Sequence, residues 1–296
     1  MLGARYLALL KLSPFLILAA CDNVSGHRAA SGGDALILES TAQSCAMPPD
    51  GLVAWYTGDV DGTDRRDGPT GALINSASIV QGEVGNAFQF DGQSSGVRIP
   101  SNGAVDFAPG KDFTIEAWVS VQPAAASREY LAILDKHDTA GRGYSFFLAR
   151  PGQIGLQLAN SSNGKDLDNH FSPAPTASDG GLHHVAVTVD HRLGVLFYVD
   201  GAPNRSTPEP FRIPTDPAND APLLLGRPPS NLNYSLAGRL DEASVYNRVL
   251  SPTDIASIYQ AGTVGKCKVT ITPIDGPTLV TAGDTKTYTA TVSGAP

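Results

Sequence analysis

Short apolar runs separated by turn residues make up the chain from Gly51 to about residue 250. The clearest run, 113–120 (FTIEAWVS), places every second residue from Phe113 to Val119 on one face of a strand. Many short strands of this kind predict an all-β fold, a two-sheet antiparallel jelly-roll sandwich. The other predicted strands are 52–56, 87–90, 97–99, 144–148, 154–158, 184–190, 195–200, 223–225 and 239–246.

One short C-terminal helix is predicted after the last strand. Ser251, Pro252 and Asp254 supply a cap, a first helical residue and an acid in the first turn. An apolar stripe follows at positions 255, 258 and 259, and Gly262 ends the helix.

Composition agrees with a folded, exported β protein. Hydrophobic residues make up 42% of the chain and charged residues 17%, which is enough apolar material for a core. Acids outnumber Lys and Arg by 29 to 21, for a net charge of -8, and no basic stripe is present. We therefore expect no nucleic-acid partner.

The N-terminal segment has the pattern of an export signal. Arg5 and Lys11 precede an apolar run at 12–20 that is too short to cross a bilayer. The sequence Leu18-Ala19-Ala20-Cys21 resembles the lipobox of bacterial lipoproteins. That resemblance implies cleavage of a signal peptide, 1–20, and a lipid anchor on Cys21 at a bacterial membrane, on the periplasmic face or the cell surface. An ordinary secretory signal with a chance cysteine is the alternative.

The small polar residues of 21–44 predict a flexible tether. With Cys21 lipidated, Cys45 and Cys267 remain, one on each side of the patterned region. An exported chain favours a disulfide between them, and two free thiols are the alternative.

Seven segments occur in an order typical of one family. Together they resemble the bacterial LamG-like jelly-roll domain of the concanavalin A-like lectin/glucanase superfamily, and we place this domain at 45–267. The resemblance implies two curved antiparallel sheets whose first and last strands are adjacent, which would bring the two cysteines close. The segments are GLVAWYTGDVDGTD (51–64), NAFQFDG (86–92), DFTIEAWVS (112–120), LHHVAVTVD (182–190), LFYVDG (196–201), LLLGR (223–227) and GRLDEASVYNRVLSPTDIASIYQAG (238–262).

The last segment, 268–296, has Thr-rich alternating runs and resembles the opening strands of a bacterial immunoglobulin-like domain. Twenty-nine residues are too few to close a sandwich core. We expect a truncated domain or a disordered tail.

An acidic loop follows the first strand. Asp59, Asp61, Asp64 and Asp67 offer hard oxygen ligands of the kind that Ca²⁺ prefers. The loop is not an EF-hand, because Thr70 stands where that motif needs a bidentate Glu.

The family resemblance implies a structural Ca²⁺ between this loop and the last strand, with Asp59, Asp64 and Asp241 as ligands. The alternative is a solvated acidic turn, partly neutralised by Arg65 and Arg66.

The sequence predicts no catalytic residues. Retaining glycosidases need two carboxyl groups about 5 Å apart. Glu116 is the only acid in its strand, and Glu242 adjoins Asp241, so that the two should face opposite sides. A pair assembled from different strands stays open.

Other motifs carry weaker signals. The G-x-S-x-G match at 92–96 lies between two strands, without the helix that a nucleophile elbow requires. The six histidines are scattered, and His184 is predicted to pack. The polar segment 160–171 is predicted as a solvated hairpin loop, with sugar binding as the alternative.

These observations predict a non-catalytic cell-surface binding or adhesion module for a glycan or an extracellular protein. One alternative is a glycan-active hydrolase or lyase on the same fold. The other is an architectural spacer for further surface domains. The sequence does not indicate which residues bind the ligand.

Overall fold

The computed structural model describes residues 44–149, 152–160, 166–173, 179–214, 216–269 and 292–293. The predicted signal peptide, the Cys21 anchor, nearly all of the tether and most of the 268–296 tail lie outside the described residues. No helix within the described ranges is long and apolar enough to cross a membrane.

The strands are short and follow one another closely along the chain. In chain order they are β1 (Leu52–Tyr56), β2 (Ala72–Ile74), β3 (Ser78–Gln81), β4 (Asn86–Asp91), β5 (Gly96–Ile99), β6 (Phe113–Val121), β7 (Tyr130–His137), β8 (Gly143–Ala149), β9 (Gln153–Ala159), β10 (Leu167–Phe171), β11 (His183–Asp190), β12 (Gly194–Val199), β13 (Ala202–Pro203), β14 (Leu223–Leu225), β15 (Ala237–Tyr246), β16 (Lys268–Val269) and β17 (Val292–Ser293).

These strands form two packed antiparallel sheets. Sheet 1 has the order β13-β12-β11-β6-β15-β4-β3, and β1 pairs with the C-terminal half of β15. Sheet 2 has the order β10-β9-β8-β7-β14-β5-β2, while β16 and β17 pair separately. The predicted two-sheet antiparallel jelly roll is confirmed.

The core lies between the inner faces of the sheets. On β6, the residues Phe113, Ile115, Ala117 and Val119 are each at most 2% exposed and belong to this core, as the alternation predicts. They face apolar residues of sheet 2 such as Leu156.

The helix covers the outer face of sheet 1, the face turned away from sheet 2. Helix α1 (Pro252–Gln260) begins with the predicted capping box, in which Ser251 and Asp254 bond each other's backbone N–H. Its buried residues Ile255 and Ile258 belong to a second apolar cluster with Trp55 of β1. Helix α1 therefore covers the outer face of sheet 1 around Trp55.

Five strands were absent from the sequence prediction, and two of them, β7 and β10, belong to the body of sheet 2. Strand β7 has a bulge between Ala132 and Leu134, and this bulge interrupts the alternation that identifies a strand. Strand β10 (Leu167–Phe171) pairs with β9, so the prediction of a solvated loop over 160–171 is wrong for these residues. The short strands β2, β3 and β13 were not predicted either.

The chain ends of the domain are joined covalently. Cys45 and Cys267 form a disulfide, and Ala46 pairs with Lys266 in a short parallel bridge beside it. Strand β1 pairs with β15. The predicted disulfide and the adjacency of the first and last strands are both confirmed.

We predict that the double variant Cys45→Ser/Cys267→Ser is less stable than the parent chain. The bridge spans a sequence separation of 222 residues, for which the chain-entropy model gives an upper limit of about 5 kcal/mol. Urea unfolding, extrapolated to water, measures the difference. Reduction of the parent chain should reproduce the variant, and a loss below about 1 kcal/mol would contradict the prediction.

Candidate functional site

Strand β15 carries a bulge that places two acids on the same side. Its register with β6 shifts between Asp241 and Ser244, and Glu242 has a positive φ of 57°. The extra residue breaks the two-residue alternation, so Asp241 and Glu242 both point to the outer face of sheet 1. The prediction that these neighbours face opposite sides is wrong for this reason.

A buried charged cluster forms around this bulge. The Nζ of Lys266 lies 2.9 Å from Oε1 of Glu116 on β6 and 3.1 Å from Oε2 of Glu242. The indole Nε1 of Trp55 donates to the same oxygen of Glu242 at 2.9 Å. On the other side, His184 Nε2 lies 3.1 Å from Oε2 of Glu116. Side chains from four strands of sheet 1, namely β1, β6, β11 and β15, thus belong to one cluster around the Lys266 ammonium.

The electrostatics of the cluster follow from burial and pairing. Burial alone would raise the pKa of Glu116, but the charge of Lys266 and the contact with His184 lower it to about 2. Burial lowers the pKa of an ammonium, yet the two carboxylates raise that of Lys266. The side chains of Glu116, Glu242 and Lys266 are at most 1% exposed, so solvent and substrates do not reach them. This arrangement is structural.

The predicted metal ligands of the acidic loop already have partners. Asp59 Oδ2 lies 2.6 Å from Lys268 Nζ and 3.2 Å from an Arg65 guanidinium nitrogen. Asp64 Oδ1 accepts the backbone N–H of Trp55 at 2.8 Å, while its Oδ2 is buried without a hydrogen-bond partner.

The third predicted ligand, Asp241, accepts the backbone N–H groups of residues 83 and 84 through Oδ2, both at 2.9 Å. Its Oδ1 is buried without a partner. Burial, together with the charge of Glu242, raises the pKa of Asp241 to about 8. A different group of possible metal ligands lies close together among the described residues. Asp112, Asp190 and His191 each offer one ligand atom, and these three atoms lie within 4.8 Å of one another. The structure therefore does not assemble the predicted set.

The outer face of sheet 2 carries a groove of about 570 Å³. Strands β7 to β10 form its floor, and the segments 138–141 and 228–234 form its walls. Sequence reasoning did not identify this site.

A row of aromatic rings crosses this face perpendicular to the strands. Tyr234 contacts Tyr130 edge to face at 5.3 Å between ring centroids, and Tyr130 contacts Phe147 in the same way at 5.2 Å. Phe147 contacts Phe171 at 5.9 Å. Gly155 makes room for the row, because a Cβ atom there would lie 2.4 Å from the Phe147 ring.

Polar side chains lie beside the rings. Gln157 Nε2 donates to Asn169 Oδ1 at 2.9 Å, from β9 to β10. On β7, Nδ1 of His137 lies 3.0 Å from Oδ1 of Asp135. The groove thus combines apolar ring surface with amides and a carboxylate on rigid strands.

The sequence does contain a signal for this site. Phe146 and Phe147 are consecutive in β8 and both buried, so one of them must lie on the outer face. Asn169 and Leu167 belong to the polar segment for which sugar binding was the alternative. The missed strand β7 left the floor incomplete.

The other candidate residues lie outside the groove. The serine of the G-x-S-x-G match, Ser94, lies in the β4–β5 turn, where its backbone N–H donates to Asp91. His184 is fully buried against Trp118, as predicted.

We predict that Lys266→Met destabilises the fold by about 3–5 kcal/mol at pH 7, because it leaves two buried carboxylates without a cation. The pKa of Glu116 lies below its ordinary value, so ionised Glu116 contributes its full share of the folding stability at any pH above that ordinary pKa. This stability is lost as the pH falls toward 2. In the variant, the carboxylates are buried without a cation, which raises their pKa and favours their protonated forms. The difference in free energy of unfolding between parent and variant should therefore shrink below about pH 4.5.

Urea unfolding at pH 7 and pH 4 measures this difference. Arg65→Met is the control, because its side chain is 40% exposed and pairs at the surface. It should change stability by less than about 1 kcal/mol. Equal losses in the two variants, or a loss for Lys266→Met that is independent of pH, would contradict the prediction.

Solved structures share the fold at low sequence identity. The binding domain of Paraclostridial Mosquitocidal Protein 1 is 17% identical with a TM-score of 0.57, and the match covers 71% of this chain and 52% of that chain. Domain 4 of an extracellular arabinanase from Geobacillus stearothermophilus, in complex with arabinotriose, is 19% identical with a TM-score of 0.52, covering 69% and 96%. The ligand-binding domain of botulinum neurotoxin serotype D, in complex with N-acetylneuraminic acid, is 13% identical with a TM-score of 0.55, covering 71% and 51%.

This chain thus spans about half the length of the two toxin domains. No curated protein is significantly similar to it in sequence. Residues 91–256, more than half of the chain, match a family described as the concanavalin A-like lectin/glucanases superfamily. With the observed jelly roll, this match shows that the chain belongs to that superfamily.

Proposed function

We propose that this protein is a non-catalytic binding module that takes a glycan in the groove on sheet 2. The observation that carries the proposal is the row of aromatic rings flanked by amide side chains on the groove floor. The ligand contacts are assigned to Tyr130, Tyr234, Gln157 and Asn169.

The chemistry of a sugar matches this surface. A pyranose or furanose ring has an apolar face of C–H groups and a rim of hydroxyl groups. Aromatic rings bury the apolar face, while amides both donate to and accept from hydroxyls. Three of the four contact residues, Tyr130, Gln157 and Asn169, lie on paired strands, so they require little ordering when a ligand binds.

The comparisons support a binding role. The arabinanase domain was solved with arabinotriose and the neurotoxin domain with N-acetylneuraminic acid. The arabinanase domain is matched over 96% of its length. The arabinanase domain therefore supports the proposal more directly than the neurotoxin domain, of which only 51% is matched.

The hydrolase alternative finds less support. Glu116 and Glu242 are brought together from different strands, but Lys266 lies between them and all three are buried. In the groove, Asp135 is bonded to His137, and Asp138 accepts the backbone N–H groups of residues 140 and 142. Neither acid is placed as a free general acid or nucleophile.

We further propose that the module is held at a bacterial membrane through a lipid on Cys21, as the lipobox-like sequence predicts. A protein ligand in place of a glycan, and an architectural spacer for further surface domains, are the remaining alternatives. The groove favours the glycan, because aromatic rings and amide side chains lie next to each other in it.

We predict that Tyr234→Ala and Gln157→Ala each weaken glycan binding about tenfold or more, since the first removes a ring from the groove wall and the second a hydrogen-bonding group from the floor. A neutral plant and bacterial oligosaccharide panel, arabinotriose included, is screened by glycan array and then by calorimetry. Gln81→Ala is the matched control, because Gln81 is exposed on β3 of the other sheet. A reducing-sugar assay runs in parallel.

Binding without sugar release, lost in the groove variants and kept in the control, is the expected result. Binding that is the same in all variants would remove the groove as the site. Release of sugar that depends on the groove would replace the binding module with the hydrolase.

Calcium binding by Asp59, Asp64 and Asp241 stays a proposal. The buried, unpartnered oxygens of Asp64 and Asp241 support it, while Lys268 already neutralises Asp59. We expect saturating Ca²⁺ to raise the midpoint of thermal unfolding relative to chelator, and Asp241→Asn to remove the increase. An unchanged midpoint in the parent chain would contradict this proposal and leave Lys268 as the cation of this loop.

A further inference from the structure

We infer that the groove on sheet 2 selects neutral oligosaccharides and rejects those that carry carboxylate or sulfate groups. This inference rests on the proposed function, because it concerns the ligand of the same groove. It separates two ligand types that the similar structures hold, since arabinotriose is neutral and N-acetylneuraminic acid is an anion at pH 7.

The charges that line the groove have one sign. Asp135 and Asp138 belong to the lining, whereas no Lys or Arg does among the described residues. A site that binds carboxylates or sulfates normally supplies a cation, most often an arginine that binds two oxygens at once.

The two arginines next to the groove walls are committed elsewhere. Arg142, which follows the 138–141 wall, donates from Nη1 to the carbonyl of Ala218 at 3.3 Å. Arg227, which precedes Pro228, donates from Nη1 to the carbonyl of Ser94 at 2.9 Å and from Nε to Pro228 at 3.3 Å. Neither belongs to the lining.

The two acids differ in the groups that contact them. His137 contacts Asp135, and both side chains are at most 10% exposed. The Oδ1 of Asp138 instead accepts two backbone N–H groups at 2.8 and 2.9 Å, which hold the turn without adding a positive charge. An anionic ligand would therefore face the negative charge of Asp138 with no opposing cation in the described lining, and like charges of this kind exclude wrong ligands.

The test uses matched ligand pairs in which the neutral member is the methyl ester of the anionic one. Methyl-esterified tetragalacturonate is compared with tetragalacturonate, and the methyl ester of sialyllactose with sialyllactose, by calorimetry on the full chain at low salt. We expect each neutral member to bind at least about tenfold more tightly than its anionic partner. Added salt should narrow the gap, because it screens the repulsion.

Two variants locate the cause. Asp138→Asn keeps an oxygen for the two backbone N–H groups and removes the charge. Ser230→Arg adds a cation on the opposite wall, at an exposed position. Each should improve binding of the anionic members severalfold and change binding of the neutral members less, so that the gap within each pair narrows. Lys165→Ala is tested in parallel. Lys165 belongs to the β9–β10 connection and lies outside the described residues. The preference for the neutral member of each pair should persist in this variant.

The outcomes separate the two proposals. If an anionic member binds as tightly as its neutral partner, and Tyr234→Ala weakens it, the groove is a glycan site and the charge inference is wrong. If the neutral preference persists unchanged in Asp138→Asn and Ser230→Arg, the inference is also wrong. If no member binds, or Tyr234→Ala has no effect on binding, the proposed function itself fails.

Discussion

The Lys266 ammonium between Glu116 and Glu242 is the interaction on which the rest of the structure depends. Removing carboxylates from water is costly, and in the interior that cost is offset only by a well-placed cation. Lys266 has this place because it precedes Cys267, whose disulfide to Cys45 ties the two chain ends together. The central strands, the bulge of β15 and the covalent bond between the ends therefore stabilise one arrangement together.

This cluster also decides which surface remains for a ligand. The outer face of sheet 1 is occupied by the cluster, by Trp55 and by helix α1, which packs Ile255 and Ile258 against it. The outer face of sheet 2 instead carries the groove, with aromatic rings on its floor. A sandwich has two outer faces, and here one is used for stability and the other carries the groove for which binding is proposed.

Most of the fold could be predicted from the sequence because alternation is a local signal. Ten strands were predicted in this way. The helix was predicted from its Ser251 cap and apolar stripe, and the disulfide from the cysteine count and the predicted export. The bulges were not, because an extra residue breaks the alternation by which a strand is recognised in the sequence, and each bulge had a consequence. The bulge in β7 concealed a strand of the groove floor, and the bulge at Glu242 reversed the side that an acid faces. The groove itself depends on side chains from four strands, a long-range arrangement that no local window contains.

The positions of the carboxylates explain how a superfamily named for lectins and glucanases supports both binding and catalysis. Catalysis needs two carboxyl groups that face a substrate at different protonation states. In this chain the pair of glutamates that shares one face is neutralised by Lys266 and sealed from solvent, whereas the acids of the accessible groove are bonded to a histidine or to backbone N–H groups. Acids therefore stabilise the fold where they are paired and buried, and they set the charge of the groove where they are accessible.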